Sequence, residues 1–459
     1  MLTKTTLVGT ADEETTTFVY DEARVGYFNK GALTSMRDAA GYRTNDYDEL
    51  GRPKRVERTI DATPYVFTHS YNTAGLPEST TYPDAQTISW TYDTAGNLQT
   101  ETGTITTAVY DAAGRPTSLS FANGVITTYS FSPTRGWLDN VHTQKDAIVH
   151  QDLTYTRYAD GMIQNVTSAK AMETWTYVYD DLNRLSSATN LDTPSLSQSF
   201  IYDQVGNVTY NSQIGTYTYP TPGTDQPHAV QTAGTRTYLY DDVGRMINRN
   251  GQVIQWNGDG KPKSIGSALF TYGGTGERLK KVSGGQTTRY VGGDYEIAHD
   301  GKVTKYLIGG KQVGTSFFIQ HRDHLGSIQA ITDAAGVEVR RQDHTPFGNQ
   351  HYASGSHAES RGWIDEREEE TELLYLNARY YDPEIGRFTA PDPIMRLGQK
   401  LNRYAYARNN PINLSDPSGL YESCTTVTNT GTFDPGGANI PTHAPTSSTT
   451  CHTIQGASF

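Results

Sequence analysis

Residues 87–118 read TISWTYDTAGNLQTETGTITTAVYDAAGRPTS, and they contain the same phrase twice. Tyr92-Asp93-x-x-Gly96-Asn97 is followed by Tyr110-Asp111-x-x-Gly114-Arg115, with Thr, Ile, Val and Tyr runs between them. Asp can open a turn by bonding to backbone just ahead of it, and Gly four residues after the Tyr can take the positive φ that closes it. The runs on either side favour a pleated, half-buried surface. This stretch therefore predicts β-hairpins, each too small to bury its own apolar face, so that neighbours must stack.

Working outward, the phrase returns as Tyr47-Asp48…Gly51-Arg52, Tyr202-Asp203…Gly206-Asn207 and Tyr240-Asp241…Gly244-Arg245. Degenerate copies are Tyr71-Asn72…Gly75 and Tyr179-Asp180…Asn183-Arg184. The cleanest spacings are 18 to 24 residues. Each Tyr is expected to pack its ring on the next repeat and keep a partly solvated hydroxyl. Composition agrees with a tyrosine-rich β fold: 31 Tyr, but only 35% hydrophobic residues in 459.

A net charge of −12 argues against a nucleic-acid-binding surface, which needs a basic face. No apolar run reaches the roughly 18 residues of a membrane span, and no signal peptide is visible at the N-terminus. The two cysteines, Cys424 and Cys451, lie in the last forty residues, so disulfides do not frame the body.

The chain divides into a repeat array, 1–300; a transition with strands and a short acidic helix, 301–372; a core, 373–420; and a variable tail, 421–459. In the transition, His321, Asp323 and His324 could be read as metal ligands, but a zinc site usually needs three or four converging groups. Asp333-Ala-Ala-Gly336 is read as a further hairpin turn, and Pro346-Phe347-Gly348 as a turn carrying an aromatic plug. Residues 363–374, WIDEREEETELL, are the best helix candidate, with the acidic run on a solvated face. The tail is rich in Thr, Ser, Pro and Gly and has no Lys or Arg. It reads as a disordered or truncated remnant. Cys424 and Cys451 could join in a disulfide, whereas His443, Cys451 and His452 fit no standard metal spacing. No metal or cofactor is expected.

The core reads LLYLNARYYDPEIGRFTAPDPIMRLGQKLNRYAYARNNPINLSDPSGL. With the repeats before it, this stretch resembles the Rhs/YD-repeat proteins and their C-terminal Rhs-associated core, a family that includes polymorphic bacterial toxins and the C components of insecticidal toxin complexes. The resemblance implies an all-β fold: antiparallel hairpins spiralling into a shell, here incomplete at about 300 residues of repeat, and closed by the core segment. It also implies that the core cuts its own chain. Matched residue by residue, the carboxylate pair is Asp392 and Asp416 and the cut falls between Leu420 and Tyr421, with Arg379 or Arg387 orienting a carboxylate. Two nearby carboxylates can divide the roles of general base and general acid. Both Asp-Pro steps are equally ordinary turn formers.

The family position implies a secreted or cell-surface protein. It also implies a larger repeat-containing partner chain or a secretion apparatus, and an immunity protein for the tail. The alternative is a non-catalytic extracellular repeat protein, or an orphan shell fragment, binding a surface, a glycan or a partner repeat chain. Activity on an external substrate is not expected.

Overall fold

The computed structural model describes residues 1–7, 13–170, 172–221, 223–394 and 402–424. The predicted disulfide and the residues His443, Cys451 and His452 lie outside the described residues. Among the described residues there are forty-one strands, three single 3-10 turns and no α-helix. Thirty-five strands, from Leu2–Thr6 to Gln350–Ser354, form one antiparallel sheet in which each strand pairs with the next in sequence. The first and last strands do not pair with each other, so the sheet is open.

The hairpin turns explain the repeat residue by residue. Asp111 Oδ1 accepts the N–H groups of Ala113 and Arg115 at 2.9 and 3.0 Å, and its Oδ2 accepts Arg115 Nε at 2.7 Å. Asp93 treats Ala95 and Asn97 the same way, with the Asn97 amide in place of the guanidinium. The last residue of the phrase is thus Arg or Asn because it must donate back to the Asp. Gly114 sits at φ 76°. In the degenerate copy Asn183 takes that place at φ 59°, which Asn tolerates better than most residues.

At the Tyr of each repeat the pairing slips by one residue, as between Val109 and Tyr110 or Ile201 and Tyr202. Such bulges add twist and bend the strand, and their repetition curves the sheet. Tyr71, Tyr179 and Tyr202 are half-buried, and their hydroxyls also find backbone partners. Each donates to a carbonyl of the preceding hairpin, at 2.8, 2.7 and 2.7 Å. The guanidinium of the preceding turn covers the ring, as with Arg52 over Tyr71 and Arg184 over Tyr202. A buried hydroxyl without an acceptor would be costly, and the neighbouring backbone supplies one.

The curved sheet winds past its own start. Glu101 accepts Trp90 Nε1 from its own hairpin, and also the N–H groups of Ile308 and Gly309, at 3.0 and 2.9 Å. Asn123 Nδ2 reaches Thr332 Oγ1 at 2.8 Å, and Lys280 pairs with Asp61. Strands of the first turn of the spiral are thereby stapled to strands about 200 residues later, and one apolar cluster joins Ile88, Trp90 and Leu119 with Leu279, Tyr295 and Ile319.

Residues 363–394 and 402–420 pack on the wall. Leu373, Tyr375, Tyr380 and Ile385 join the wall cluster of Val208, Tyr238 and Ile254, and Ile412 joins that of Leu138 and Trp175. Phe347 is a plug as predicted, 4% exposed and edge-on to Phe200. The helix predicted over 363–374 is absent. One 3-10 turn, Trp363–Asp365, leads into the strand Arg367–Glu368, and Ile364, Asp365 and Glu372 have positive φ. The acidic run is solvated only in part: Glu370 and Glu372 are exposed, but Glu369 is buried, bonded to Arg278 and, at 3.0 Å, to Lys281 of the wall. Partners 88 and 91 residues away override the local helical pattern.

Candidate cleavage site in the core

A four-stranded sheet, from Arg367–Glu368 to Arg387–Phe388, carries the core's central hairpin, Leu374–Leu376 and Arg379–Asp382. Its turn, Asn377-Ala378, faces the second Asp-Pro motif. Asn377 Nδ2 donates to Pro417 O at 3.1 Å, Ala378 N–H to Ser418 O at 3.1 Å, and Arg379 Nε to Gly419 O. Three consecutive residues thus hold three consecutive carbonyls, the last of them one residue before Leu420. Gly419 sits at φ 67°, where a Cβ would run into the Leu376 carbonyl and lie 3.0 Å from Arg379 N. Only glycine lets the two backbones meet this closely.

Arg379 also joins the two aspartates. Its Nη2 lies 3.5 Å from Asp392 Oδ2 and 3.5 Å from Asp416 Oδ2, so these oxygens are separated by no more than twice that distance. Asp392, Asp416 and Arg379 are 1%, 2% and 5% exposed. Burial pushes the Arg379 guanidinium down to about 10 despite the pull of Asp392 and Asp416, and it remains a cation at neutral pH. Its flat face lies on Phe388 and its Nη1 donates to Arg403 O at 3.1 Å.

Asp416 Oδ1 accepts the N–H groups of Leu420 and Tyr421, each at 3.0 Å, and the Ser418 hydroxyl at 3.0 Å. The Asp416 N–H in turn donates to the Tyr406 hydroxyl. Asp392 Oδ1 accepts Ile394 N–H at 2.9 Å, and its carbonyl accepts Arg403 Nε at 2.9 Å. Tyr421 is 51% exposed, so the far side of the Leu420–Tyr421 bond opens toward solvent.

Sequence left the orienting arginine open between Arg379 and Arg387. The structure brings Arg379 to both aspartates. Arg387, 1% exposed, instead donates to Asn409 Oδ1 at 2.7 Å and to the carbonyls of Gly386 and Gly206, fastening core to wall. The third Asp-Pro aspartate, Asp382, is also a wall anchor, held by Arg249 Nε at 2.7 Å. His321 bonds Thr332 at 2.9 Å, His324 bonds Ile412 O at 2.8 Å, and Asp323 caps the turn at Leu325 and Ser327. No group of three or more metal-ligating side chains gathers among the described residues.

Residues 304–412 match the Teneurin YD-shell family model. Toxin subunit YenC1 of Yersinia entomophaga is 25% identical, over 78% of this chain and 48% of its own. The tRNA3(Ser)-specific nuclease WapA of Bacillus spizizenii is 29% identical, over 59% of this chain and 11% of its own. The chain therefore spans about half the length of the first relative and about a tenth of the second. Among solved structures, the crystal structure of TcdB2-TccC3 superposes with a TM-score of 0.77 at 19% identity, covering 90% of this chain and 26% of that one. A Photorhabdus luminescens Tc holotoxin pore gives 0.78 at 20% identity, covering 92% and 25%. Repeat phrase, matched segment and architecture agree: the chain has the fold of a YD/RHS-repeat shell and is similar to proteins of that kind.

Proposed function

We propose that this shell scaffold cuts its own backbone between Leu420 and Tyr421, with Asp392 and Asp416 as the catalytic pair, and so frees the segment that follows. The observation that carries this is the Asp416 carboxylate 3.0 Å from the Tyr421 nitrogen, with Asp392 held to the same guanidinium. Asp392 takes a proton from water as the water oxygen adds to the Leu420 carbonyl carbon. The C–N bond then breaks as the proton that Asp392 took from the water passes to the Tyr421 nitrogen, while the Asp416 carboxylate holds the Leu420 and Tyr421 amides in place. The products are a Leu420 carboxylate and a Tyr421 amine. Arg379 fixes both carboxylates, and tethering supplies the effective concentration.

The open sheet and the paired names TcdB2-TccC3 support a larger repeat-containing partner that completes the shell around the released segment. Export to the cell surface or beyond, through a secretion apparatus, and an immunity protein for the tail belong to the same proposal.

A second reading has its own observation. Asp416 accepts the N–H four residues ahead, as Asp48 and Asp111 do in plain hairpin turns. On that reading the pair is structural and the chain is a non-catalytic scaffold. Time courses of wild type, Asp392→Asn and Asp416→Asn separate the two. Self-cleavage in wild type, lost in both variants with the fold intact, supports catalysis. A wild type that stays whole supports the scaffold.

A further inference from the structure

Residues 256–261, Trp-Asn-Gly-Asp-Gly-Lys, are one more copy of the repeat phrase, with Trp for Tyr and Asn for Asp. Asn257 Oδ1 accepts the N–H groups of Asp259 and Lys261 at 3.1 and 2.9 Å, Gly260 sits at φ 71°, and Trp256 Nε1 donates to Met246 O as the tyrosine hydroxyls do. Lys261 therefore stands where other copies have Arg or Asn. Those side chains fold back on their own turn, as Arg245 Nε does on Asp241 at 2.7 Å. Lys261 instead leaves the wall and donates its ammonium to the carbonyls of Asn377 and Ala378, at 3.0 and 2.9 Å. These two residues are the first two rungs of the ladder that holds Pro417 and Ser418.

We propose that Lys261 is a positioning residue for self-cleavage: from the wall side it fixes the Asn377-Ala378 backbone, and through that ladder it sets the Leu420–Tyr421 bond against Asp416. The inference rests on the cleavage reading above. It makes the cut dependent on docking, because a core not yet seated on the wall lacks both Lys261 bonds. Cleavage then follows shell folding and does not precede it.

The ammonium also gives the inference a distinctive readout. Burial pushes Lys261 down to about 8, against the opposing pull of Asp259 in its own turn and Glu277 in the next. From the core the groups facing it are the two neutral carbonyls. Above pH 8 it becomes a neutral amine, a weaker donor with one hydrogen fewer, while arginine keeps its charge.

The test is the first-order self-cleavage rate of the refolded full chain for wild type, Lys261→Met and Lys261→Arg, between pH 7 and 9.5. The Met variant is expected to cleave about 10- to 100-fold more slowly, with Arg restoring most of the rate. The wild-type rate is expected to fall as pH rises past 8, and the Arg variant's rate not to fall. Equal rates in wild type and Met overturn the inference while leaving the cleavage reading standing, as does an identical pH fall in wild type and Arg. The Arg comparison holds even if the Met variant does not fold. A wild type that never cleaves overturns both.

Discussion

Two buried carboxylates on one guanidinium are a geometry that lysine cannot copy. Arg379 contacts Asp392 and Asp416 with Nη2, Gly419 O with Nε and Arg403 O with Nη1, the three nitrogens of one planar fork. Arg379→Lys should slow self-cleavage by about 100-fold or more, whereas Arg387→Lys should mainly lower the melting temperature; rate and melting curves on both variants check the split. A second prediction concerns Glu366, whose carboxyl burial raises to about 8 from 4.5. The folded state then holds a proton that the unfolded chain releases between those values, so this group's contribution to stability falls as pH rises from 4.5 to 8. Glu366→Gln should therefore stabilise by at least about 1 kcal/mol at pH 8 and far less at pH 4.5, measured by denaturant melts at both. At this scale the sequence showed which residue types matter, but not which arginine meets which aspartate. Asp382, Asp392 and Asp416 all precede proline, yet Arg249, 133 residues away, claims the first.

Among elements, the turn phrase was the legible part, because its chemistry closes within six residues. Asp111→Ala should remove two backbone acceptor contacts and the Arg115 anchor, at a cost of about 1–2 kcal/mol by chemical melt. Trp256-Asn257…Gly260-Lys261 escaped notice because Trp and Asn replace the two letters that define the phrase, although the backbone geometry is the same. The expected helix failed for a different reason. A run of glutamates with a central arginine has good helical propensity, but Arg278 and Lys281 draw Glu369 inward, and the segment becomes a strand and turns. Local sequence carries no sign of ion pairs formed so far along the chain.

Over the whole molecule, the spiral brings together residues that no repeat phrase relates. Glu101 spans 207 residues to reach Ile308, and its loss would leave the amides of Ile308 and Gly309 without that acceptor. Glu101→Ala should cost about 3 kcal/mol and loosen the seam between successive turns, seen as faster amide exchange at 305–320. That the hairpins stack was legible from the repeats and that the sheet curls was implied by the resemblance; where it meets itself was not legible, because the pitch depends on the bulge at every tyrosine.

The core sits on this wall with the Leu420–Tyr421 bond beside Asp416, and the proposal is that this bond is cut. The direct measurement is the intact mass of the purified wild-type chain. Two species are expected that divide the 459 residues between Leu420 and Tyr421, the first ending in a free Leu420 carboxylate. A single species with the mass of the full chain, unchanged after prolonged incubation at neutral pH, would contradict it and return Asp392 and Asp416 to the role of turn residues.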